Sequence, residues 1–489
     1  MEQKNHRRLF IIEYIIIVVA VGILGLGYEI WFDESFSILI TRNSISDIIS
    51  FTASDVHPPL YYLFLKLFIS IFGNYMPIYH LVSIIPFLLM ILIVGIFSYK
   101  EISYKAGLLS MVVLCAAPHM LTYAIEIRMY SLCQLLVVCS VILAYKIGKS
   151  TDKEKWTLWI GFSIINVMAA YTHYFAGAAV AIVSVCLFVC ILISKIEKKR
   201  KIIRWVIANV ITVIMYIPWL VVFYKQFESV KSDYWITSFT ARDIGKIAEF
   251  LFGKFDETST IFVGAAVCIA IVLFVIRWKK NSKLSIILLC LTVFLGFIAL
   301  GVLLSIIITP VFVQRYIAIV LPCFWMAITY IFVGEKNQKL YYIMCVLSLL
   351  LLVKTYCSEY QWRVYDNKTT LFDTIKKEAQ EEDVIYNDNP FSMAILSCYL
   401  PNQKVLVSQE GLSTEKFTRW DEMSQNITIS DEINPLEQGD VWVCLYYEDD
   451  FALNALAAKG YDIEYVGEKE LPGDKVVKKY KVYKCSLKK

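Results

Sequence analysis

The sequence predicts a polytopic α-helical membrane protein of about eleven transmembrane helices followed by a small C-terminal α/β domain. Three observations lead to this fold class. Of the 489 residues, 58% are hydrophobic and only 18% are charged, and the mean hydropathy is +0.59. This composition is more hydrophobic than that of soluble globular domains and is typical of membrane proteins. Apolar segments long enough to cross ~30 Å of hydrocarbon recur up to residue 356. The composition then becomes polar and mixed in charge.

The first predicted span follows a basic N-terminus. The run RRLFIIEYIIIVVAVGILGLGY is longer than the apolar region of a secretory signal and lacks a clear small-residue cleavage site, so we expect it to be retained. The predicted spans are residues 9–28, 77–98, 106–123, 131–147, 157–173, 175–194, 203–220, 259–276, 284–309, 316–333 and 339–356.

Lysine and arginine residues predict the orientation. With the N-terminus in the cytoplasm, the alternate loops YKEISYK, KIGKSTDKEKW, SKIEKKRKIIR, RWKKNSK and GEKNQK fall on the cytoplasmic side, as the positive-inside rule requires. Residues 58–73 would reverse every later loop if they crossed the membrane. This segment is short, begins with two prolines and contains Lys66, so we predict a helix in the outer interface, within a first outer loop at 29–76.

The C-terminal residues 357–489 predict a separate domain on the outer face, after a transmembrane domain at 1–356. The strand-like runs DVIYN, KVLVS, DVWVCLYY and KVVKKYKVYKCSL alternate with the helical patterns LFDTIKKEAQEE and FSMAILSCYL. Alternating strands and helices of this length are typical of a small α/β fold.

Single charged, imidazole and tyrosine side chains gather at the predicted outer ends of the helices. Placing a charged group within a membrane protein costs free energy, so such groups usually have a function. Their position at helix ends, rather than at mid-membrane, favours a site that opens to the outer leaflet over a channel. These candidate site residues are Asp33, Glu34, Asp55, His57, Glu126, Arg128, Tyr130, His173, Arg315 and Tyr316.

Each candidate also has a purely structural explanation. Asp33 is a good N-cap for a helix that begins at Glu34, and Asp55 precedes a proline pair in a stretch suited to a turn. His173 is typical of an interfacial anchor or a helix cap, and Arg315 of a side chain that reaches lipid headgroups. Both kinds of explanation stay open on the residues alone.

The order of the motifs adds a further indication. An acidic pair after the first helix, then HPPLYY, EIRMYS, THYF and RYIAIVLP, resembles the GT-C membrane glycosyltransferases. The similarity is greatest to the family 39 group, the protein O-mannosyltransferases and the lipid A aminoarabinose transferase. It covers about residues 9–335 and is strongest over 29–175. The resemblance implies an enzyme that transfers a sugar from a polyprenyl-phosphate carrier to an acceptor hydroxyl on the outer face.

The resemblance also implies catalytic roles. Asp33 is similar to the catalytic aspartate of the first loop and would act as general base, since an attacking hydroxyl must lose its proton. Glu34 would orient the acceptor or the base. Asp55 and His57 would line the site or bind a divalent metal ion, which is the one cofactor that the resemblance suggests.

The same resemblance implies that arginines bind the phosphate. The leaving group is a lipid phosphate, which needs charge neutralisation, and Arg128 and Arg315 can supply it bidentately. Arg315 is the stronger phosphate candidate of the two, because it begins a helix beside the lipid groove that the resemblance implies. The HPP motif is Glu-Lys-Pro in the aminoarabinose transferases, so a lysine contact to phosphate cannot be transferred. The remaining substrate-binding candidates are Glu126, Tyr130, His173 and Tyr316.

The expected partners are a polyprenyl-phosphate-linked sugar, a glycan, protein or lipid acceptor and the bilayer, with no nucleic acid. The expected location is a bacterial plasma membrane. A transporter or flippase is the main alternative, but it predicts charges near the membrane midplane and often paired internal repeats, and the sequence shows neither. A non-catalytic scaffold is the second alternative.

Overall fold

The structure is a computed structural model. It describes residues 2–27, 30–150, 156–194, 196–232, 239–253, 284–333, 338–365, 371–408, 412, 417–430, 439–445, 451–470 and 479–488. The predicted span at 259–276 lies outside the described residues.

Long apolar helices form most of the first 360 residues. They are α1 (Glu2–Leu24), α5 (Met76–Glu101), α6 (Tyr104–Ala116), α8 (Tyr130–Lys149), α9 (Trp156–Thr172), α10 (Tyr174–Ile193), α11 (Lys198–Ser232), α13 (Leu284–Ile307), α14 (Leu321–Phe332) and α15 (Gln338–Tyr360). A shorter helix, α12 (Ala241–Phe252), lies between α11 and α13 in the chain. Among the described residues, α5, α8, α10, α11, α13 and α15 are long and apolar enough to cross a membrane. The chain is a multi-pass membrane protein, whereas the predicted number of eleven spans stays a prediction.

The predicted span at 106–123 differs from the helices that the structure contains. Helix α6 ends at Ala116, and a short helix α7 (Met120–Ile125) follows. The break occurs at Pro118, because the residue before a proline is disfavoured in the helical region. Ala117 accordingly has a ψ of 140°, and His119 adopts a left-handed φ of 63°. A second predicted span, 316–333, begins as a 3-10 helix (Gln314–Ile319) and continues as α14.

The first outer loop contains three helices, α2 (Phe32–Ile40), α3 (Ile45–Ser54) and α4 (Leu60–Phe72). Helix α2 begins two residues earlier than the capping alternative requires, so Asp33 lies inside its first turn and is not the N-cap. Glu34 has the capping role instead, because its Oε2 accepts a hydrogen bond from the backbone N–H of Trp31 at 3.0 Å. Helix α4 matches the predicted apolar helix, and its position in the outer interface stays a prediction.

A six-stranded sheet follows the transmembrane helices. Its strands are β1 (Val384–Asn387), β2 (Lys404–Val407), β3 (Ile427–Ile429), β4 (Val441–Leu445), β5 (Tyr461–Glu470) and β6 (Lys479–Leu487), in the order β3-β2-β1-β4-β6-β5. Strands β1 to β4 are parallel, whereas β6 runs antiparallel to both β4 and β5. The helices of this region are α16 (Leu371–Glu378), α17 (Pro390–Tyr399), α18 (Trp420–Met423) and α19 (Phe451–Ala458).

Apolar side chains from the sheet and from α19 form its core. Val384 and Tyr386 of β1 and Val443 of β4 pack there with Leu453 and Leu456 of α19. The alternation of side chains along a strand places Ile385 and Asn387 on the opposite face of β1. The small α/β fold predicted for this region is therefore confirmed.

The chain divides into two compact units. The helical unit comprises Met1–Gly25, His57–Tyr61 and His80–Tyr360, and the sheet unit comprises Leu26–Val56, Tyr62–Tyr79 and Gln361–Lys489. Most of the first outer loop therefore belongs to the same compact unit as the C-terminal sheet.

Candidate functional site

The helical unit gathers two arginines and two histidines at one place, which we call the basic cluster: His57, Arg128, His173 and Arg315. Arg128 Nη2 lies 3.4 Å from His57 Nε2. The rings of His57 and His173 are 5.7 Å apart between centroids. Arg315 is close enough to His173 to act on it electrostatically. The next residue along the chain, Tyr316, contacts His173 with ring centroids 4.9 Å apart, so four separate chain segments come together here.

A non-helical segment between α7 and α8 presents Arg128. The segment turns tightly, because the backbone N–H of Arg128 donates to the carbonyl of Glu126 at 2.7 Å. Two side chains of α5 hold it: His80 Nδ1 donates to the carbonyl of Ile125 at 2.7 Å, and Ser83 donates to the carbonyl of Arg128 at 3.2 Å. Arg128 is only 3% exposed and Glu126 only 6%, so two side chains of opposite charge are buried within two residues of each other, in a setting where burying a charge is costly.

His173 is the N-cap of α10, and its two ring nitrogens have different roles. The Nδ1 atom accepts a hydrogen bond from the backbone N–H of Phe175 at 3.1 Å, which confirms the helix-cap explanation. That bond requires the tautomer with hydrogen on Nε2. The Nε2 atom is buried and has no hydrogen-bond partner among the described residues. His173 therefore holds a buried N–H donor within the basic cluster.

Charge and burial keep His173 neutral. Its pKa is held well below the usual range, chiefly because burial penalises the charged form, and the neighbouring His57 and the guanidinium groups of Arg128 and Arg315 lower it further. A neutral imidazole at this position donates a hydrogen bond without adding another charge.

Arg315 and Tyr316 lie on the 3-10 helix that precedes α14. Gln134 of α8 fixes this helix, since its Nε2 donates to the carbonyl of Ala318 at 3.0 Å. The Tyr316 ring contacts the His173 ring with centroids 4.9 Å apart. As predicted, Arg315 lies at the start of a helix, although this is a 3-10 helix (Gln314–Ile319).

Tyr130 lies at the start of α8, beside the basic cluster. Its side chain is 1% exposed, and its hydroxyl lies in the electrostatic field of Arg315, Arg128 and Glu126. The Tyr130 and His173 rings are 6.3 Å apart between centroids. Guanidinium, imidazole and phenol donors around one buried place make an arrangement suited to a phosphate-like anion, since arginine forks match phosphate oxygens.

The same residues do not suit a metal ion. The Nε2 atom of His57 faces the positive guanidinium of Arg128, which disfavours a second cation at that nitrogen. Within the described ranges, no group of three or more His, Cys, Asp and Glu side chains is arranged to hold a metal. The suggestion that Asp55 and His57 bind a metal stays a prediction.

Three predicted residues, Asp33, Glu34 and Asp55, belong to the sheet unit. Asp33 is the second residue of α2 and is half-buried, whereas Glu34 is only 2% exposed. Asp55 is the C-cap of α3, with its backbone N–H donating to the carbonyl of Phe51 at 3.0 Å.

His80, Ser83 and Gln134, the residues that hold Arg128 and the 3-10 helix, were not predicted as site residues. His80 and Ser83 are three residues apart on an otherwise apolar helix. That spacing puts them on one face, and polar residues in an apolar span are a functional signal. This signal was available in the sequence, whereas the partner carbonyls were not.

The chain matches no family model and no curated protein. Among solved structures, apo ArnT from Cupriavidus metallidurans is similar with a TM-score of 0.66 and 11% identity, over 99% of this chain and 98% of that one. ArnT from the same organism bound to undecaprenyl phosphate gives a TM-score of 0.61 and 13% identity, over 97% of each chain.

At such identities the likeness shows the fold alone, which this chain shares with ArnT. The resemblance read from the motifs is therefore confirmed at the level of the fold. Both neighbours are the aminoarabinose transferase, so they give the narrower family 39 assignment no support.

Proposed function

We propose that this protein transfers a sugar from a polyprenyl-phosphate carrier to an acceptor hydroxyl on the outer face of a bacterial plasma membrane. The observation that carries the proposal is the basic cluster, which offers two guanidinium groups and a neutral imidazole N–H at one partly buried place of a GT-C fold. One solved relative by fold is an ArnT bound to undecaprenyl phosphate, a ligand whose phosphate is the kind of group that such a cluster would bind.

Arg128 and Arg315 bind the carrier phosphate in this proposal. When the bond between the anomeric carbon and the phosphate oxygen breaks, the carrier leaves as a phosphate monoester and gains negative charge. Preorganised cations stabilise that developing charge without having to rearrange. The leaving group is already acidic, so it requires no proton donor. His173 adds a hydrogen bond to the same phosphate through its Nε2–H.

Asp33 acts as general base and accepts the proton of the attacking acceptor hydroxyl. Glu34 is less suited to this role, because one of its carboxylate oxygens is committed to the Trp31 N–H and its side chain is almost fully buried. Direct displacement of this kind inverts the configuration at the anomeric carbon.

Carrier binding tests the phosphate assignment. We expect Arg315→Gln and Arg128→Gln each to weaken binding of undecaprenyl phosphate to the purified protein by about 10- to 100-fold, the usual value of a charge-assisted hydrogen bond. Arg200→Gln is the matched control, since the Arg200 side chain is 51% exposed and pairs only loosely with Glu197 at 3.8 Å.

A fluorescent polyprenyl phosphate titrated into protein in nanodiscs provides the measurement. Unchanged affinity in both arginine variants, with Arg200→Gln also unchanged, would remove the basic cluster from carrier binding. Equal losses in all three variants would indicate a general charge effect and contradict the proposal in the same way.

A further inference from the structure

Within the sheet unit, the last turn of α17 contacts α2, the helix that contains Asp33. Four hydrogen bonds join the residues Ser397, Cys398 and Tyr399 to the α2 region. Arg42 Nη1 donates to the carbonyl of Ser397 and Nη2 to that of Cys398, both at 3.0 Å. The backbone N–H of Ile30 donates to the Tyr399 hydroxyl at 3.2 Å. The Cys398 thiol donates to the carbonyl of Ser35 at 3.6 Å.

Arg42 binds the place on α17 that most favours a cation. The last carbonyls of a helix have no partner within the helix and form the negative end of its dipole. The planar guanidinium fork can satisfy two of these carbonyls at once, which a lysine cannot do. The fork thereby links Arg42, the second residue after α2, to the end of α17.

The other two bonds lie on both sides of Asp33. Ile30 precedes Asp33 by three residues and Ser35 follows it by two, and both bind adjacent residues of α17. The backbone around Asp33 is therefore held at both ends by a single helical turn.

Aromatic packing reinforces the same arrangement. The Phe32 ring packs edge-on against Phe391 of α17 with centroids 4.5 Å apart, and the Phe36 ring lies 5.8 Å from that of Trp420. Such pairs add about 0.5–1.5 kcal/mol each beyond the burial of their surface. Asp33 thus follows a residue fixed by a ring contact.

Tyr399 stays protonated in this setting. Burial raises the pKa of its hydroxyl, and the negative charge of Glu34 contributes to the same shift. The hydroxyl accepts the Ile30 N–H, and its own proton lies in the field of the Glu34 carboxylate.

We infer that the last turn of α17 positions the general base, with Tyr399 and Arg42 as positioning residues for Asp33. The C-terminal sheet then sets the orientation of Asp33 during transfer, which is a role in catalysis separate from binding of the carrier. This inference rests on the proposed function, in which Asp33 accepts the proton of the acceptor.

Transfer kinetics test the inference. Tyr399→Phe keeps the ring and removes the acceptor for the Ile30 N–H. We expect kcat to fall by about 10- to 100-fold, as a small displacement of a catalytic group does, with KM for the sugar donor changed less than about twofold. Tyr465→Phe is the matched control, because Tyr465 is 53% exposed on β5.

A double-mutant cycle separates positioning from general destabilisation. Asp33→Asn retains a low background rate in this account, and adding Tyr399→Phe should not lower it further, because the group to be positioned is already gone. Arg42 provides a second comparison that needs no background rate. Arg42→Lys should keep more of the wild-type kcat than Arg42→Met, with KM for the donor unchanged in both.

The possible failures can be told apart. Wild-type kcat in Tyr399→Phe and Arg42→Met, together with an inactive Asp33→Asn, would overturn the positioning inference alone. An equal loss from Tyr399→Phe in the wild-type and Asp33→Asn backgrounds would also overturn it, since it would indicate a purely structural role. Full activity of Asp33→Asn would instead overturn the proposed base, and positioning with it.

Discussion

His173 shows how one residue serves both the fold and the site. Its Nδ1 caps α10, and its Nε2–H remains in the basic cluster. Because the cap fixes the ring, the second nitrogen is oriented without further hydrogen bonds. We regard this sharing of one imidazole as the reason that a histidine occurs at the start of this helix, where serine or aspartate would cap equally well.

The lowered pKa of His173 predicts a dependence of stability on pH. The unfolded chain takes up a proton near pH 6.5, whereas the folded chain resists protonation to lower pH. The contribution of His173 to the free energy of unfolding is therefore complete above pH 6.5. Below pH 6.5 the free energy of unfolding declines by up to about 1.4 kcal/mol per pH unit, until the pKa of His173 in the folded chain is reached. Thermal unfolding at pH 7.5 and pH 5 measures this loss. His173→Asn, which cannot titrate and can still cap, should lose less on acidification; an identical loss would contradict the assignment.

At this scale the sequence predicted the residue types but not their partners. Arg128, His173 and Arg315 were identifiable because charged and imidazole groups near apolar spans are rare. That they meet around Tyr130 depends on packing between distant helices, which spacing along the chain does not encode. The division of roles between Asp33 and Glu34 likewise depended on where α2 begins.

The elements follow local rules with a few informative exceptions. Most apolar runs became helices, and the four strand-like runs of the C-terminal region became β1, β2, β4 and β6. The exceptions have physical causes. Pro118 divides one predicted span into α6 and α7. Strand β3 has only three residues, and β5 carries alternating charges and an irregularity at Gly467, so neither has a strong apolar pattern.

Asp383 is the polar residue on which we expect the sheet to depend. Its carboxylate accepts hydrogen bonds from the backbone N–H groups of Gln380 and Asp440 and from Trp442 Nε1, at 3.0, 2.9 and 3.0 Å. Asp383→Ala would leave these donors without their acceptor and should lower the free energy of unfolding by about 2–4 kcal/mol.

Urea unfolding of the full chain, followed by limited proteolysis of the sheet region, measures this change. Asp462→Ala is the control, because the Asp462 side chain is 71% exposed in its ion pair with Lys488, and it should change the free energy by less than about 0.5 kcal/mol. Equal effects of the two substitutions would show that Asp383 has no special role.

The whole molecule combines two compact units, and the division bears directly on the proposed chemistry. The basic cluster lies in the helical unit, whereas Asp33 lies with the C-terminal sheet in the other unit. Composition and charge predicted a membrane region and a polar α/β region. The grouping of the outer-loop helices with the sheet was not predictable, because it depends on tertiary contacts such as those of Arg42 with α17.

Sugar transfer itself is the most direct test of the account. Membranes that contain the wild-type protein, Asp33→Asn or Asp462→Asn would be incubated with a panel of radiolabelled polyprenyl-phosphate sugars, and the label leaving the carrier would be counted. The account predicts that at least one donor loses its label with the wild type and with Asp462→Asn, and that Asp33→Asn reduces the rate by about 100-fold or more, as expected for loss of a general base. Label that stays on the carrier for every donor, with folded and abundant protein, would contradict sugar transfer and favour a transporter or a scaffold.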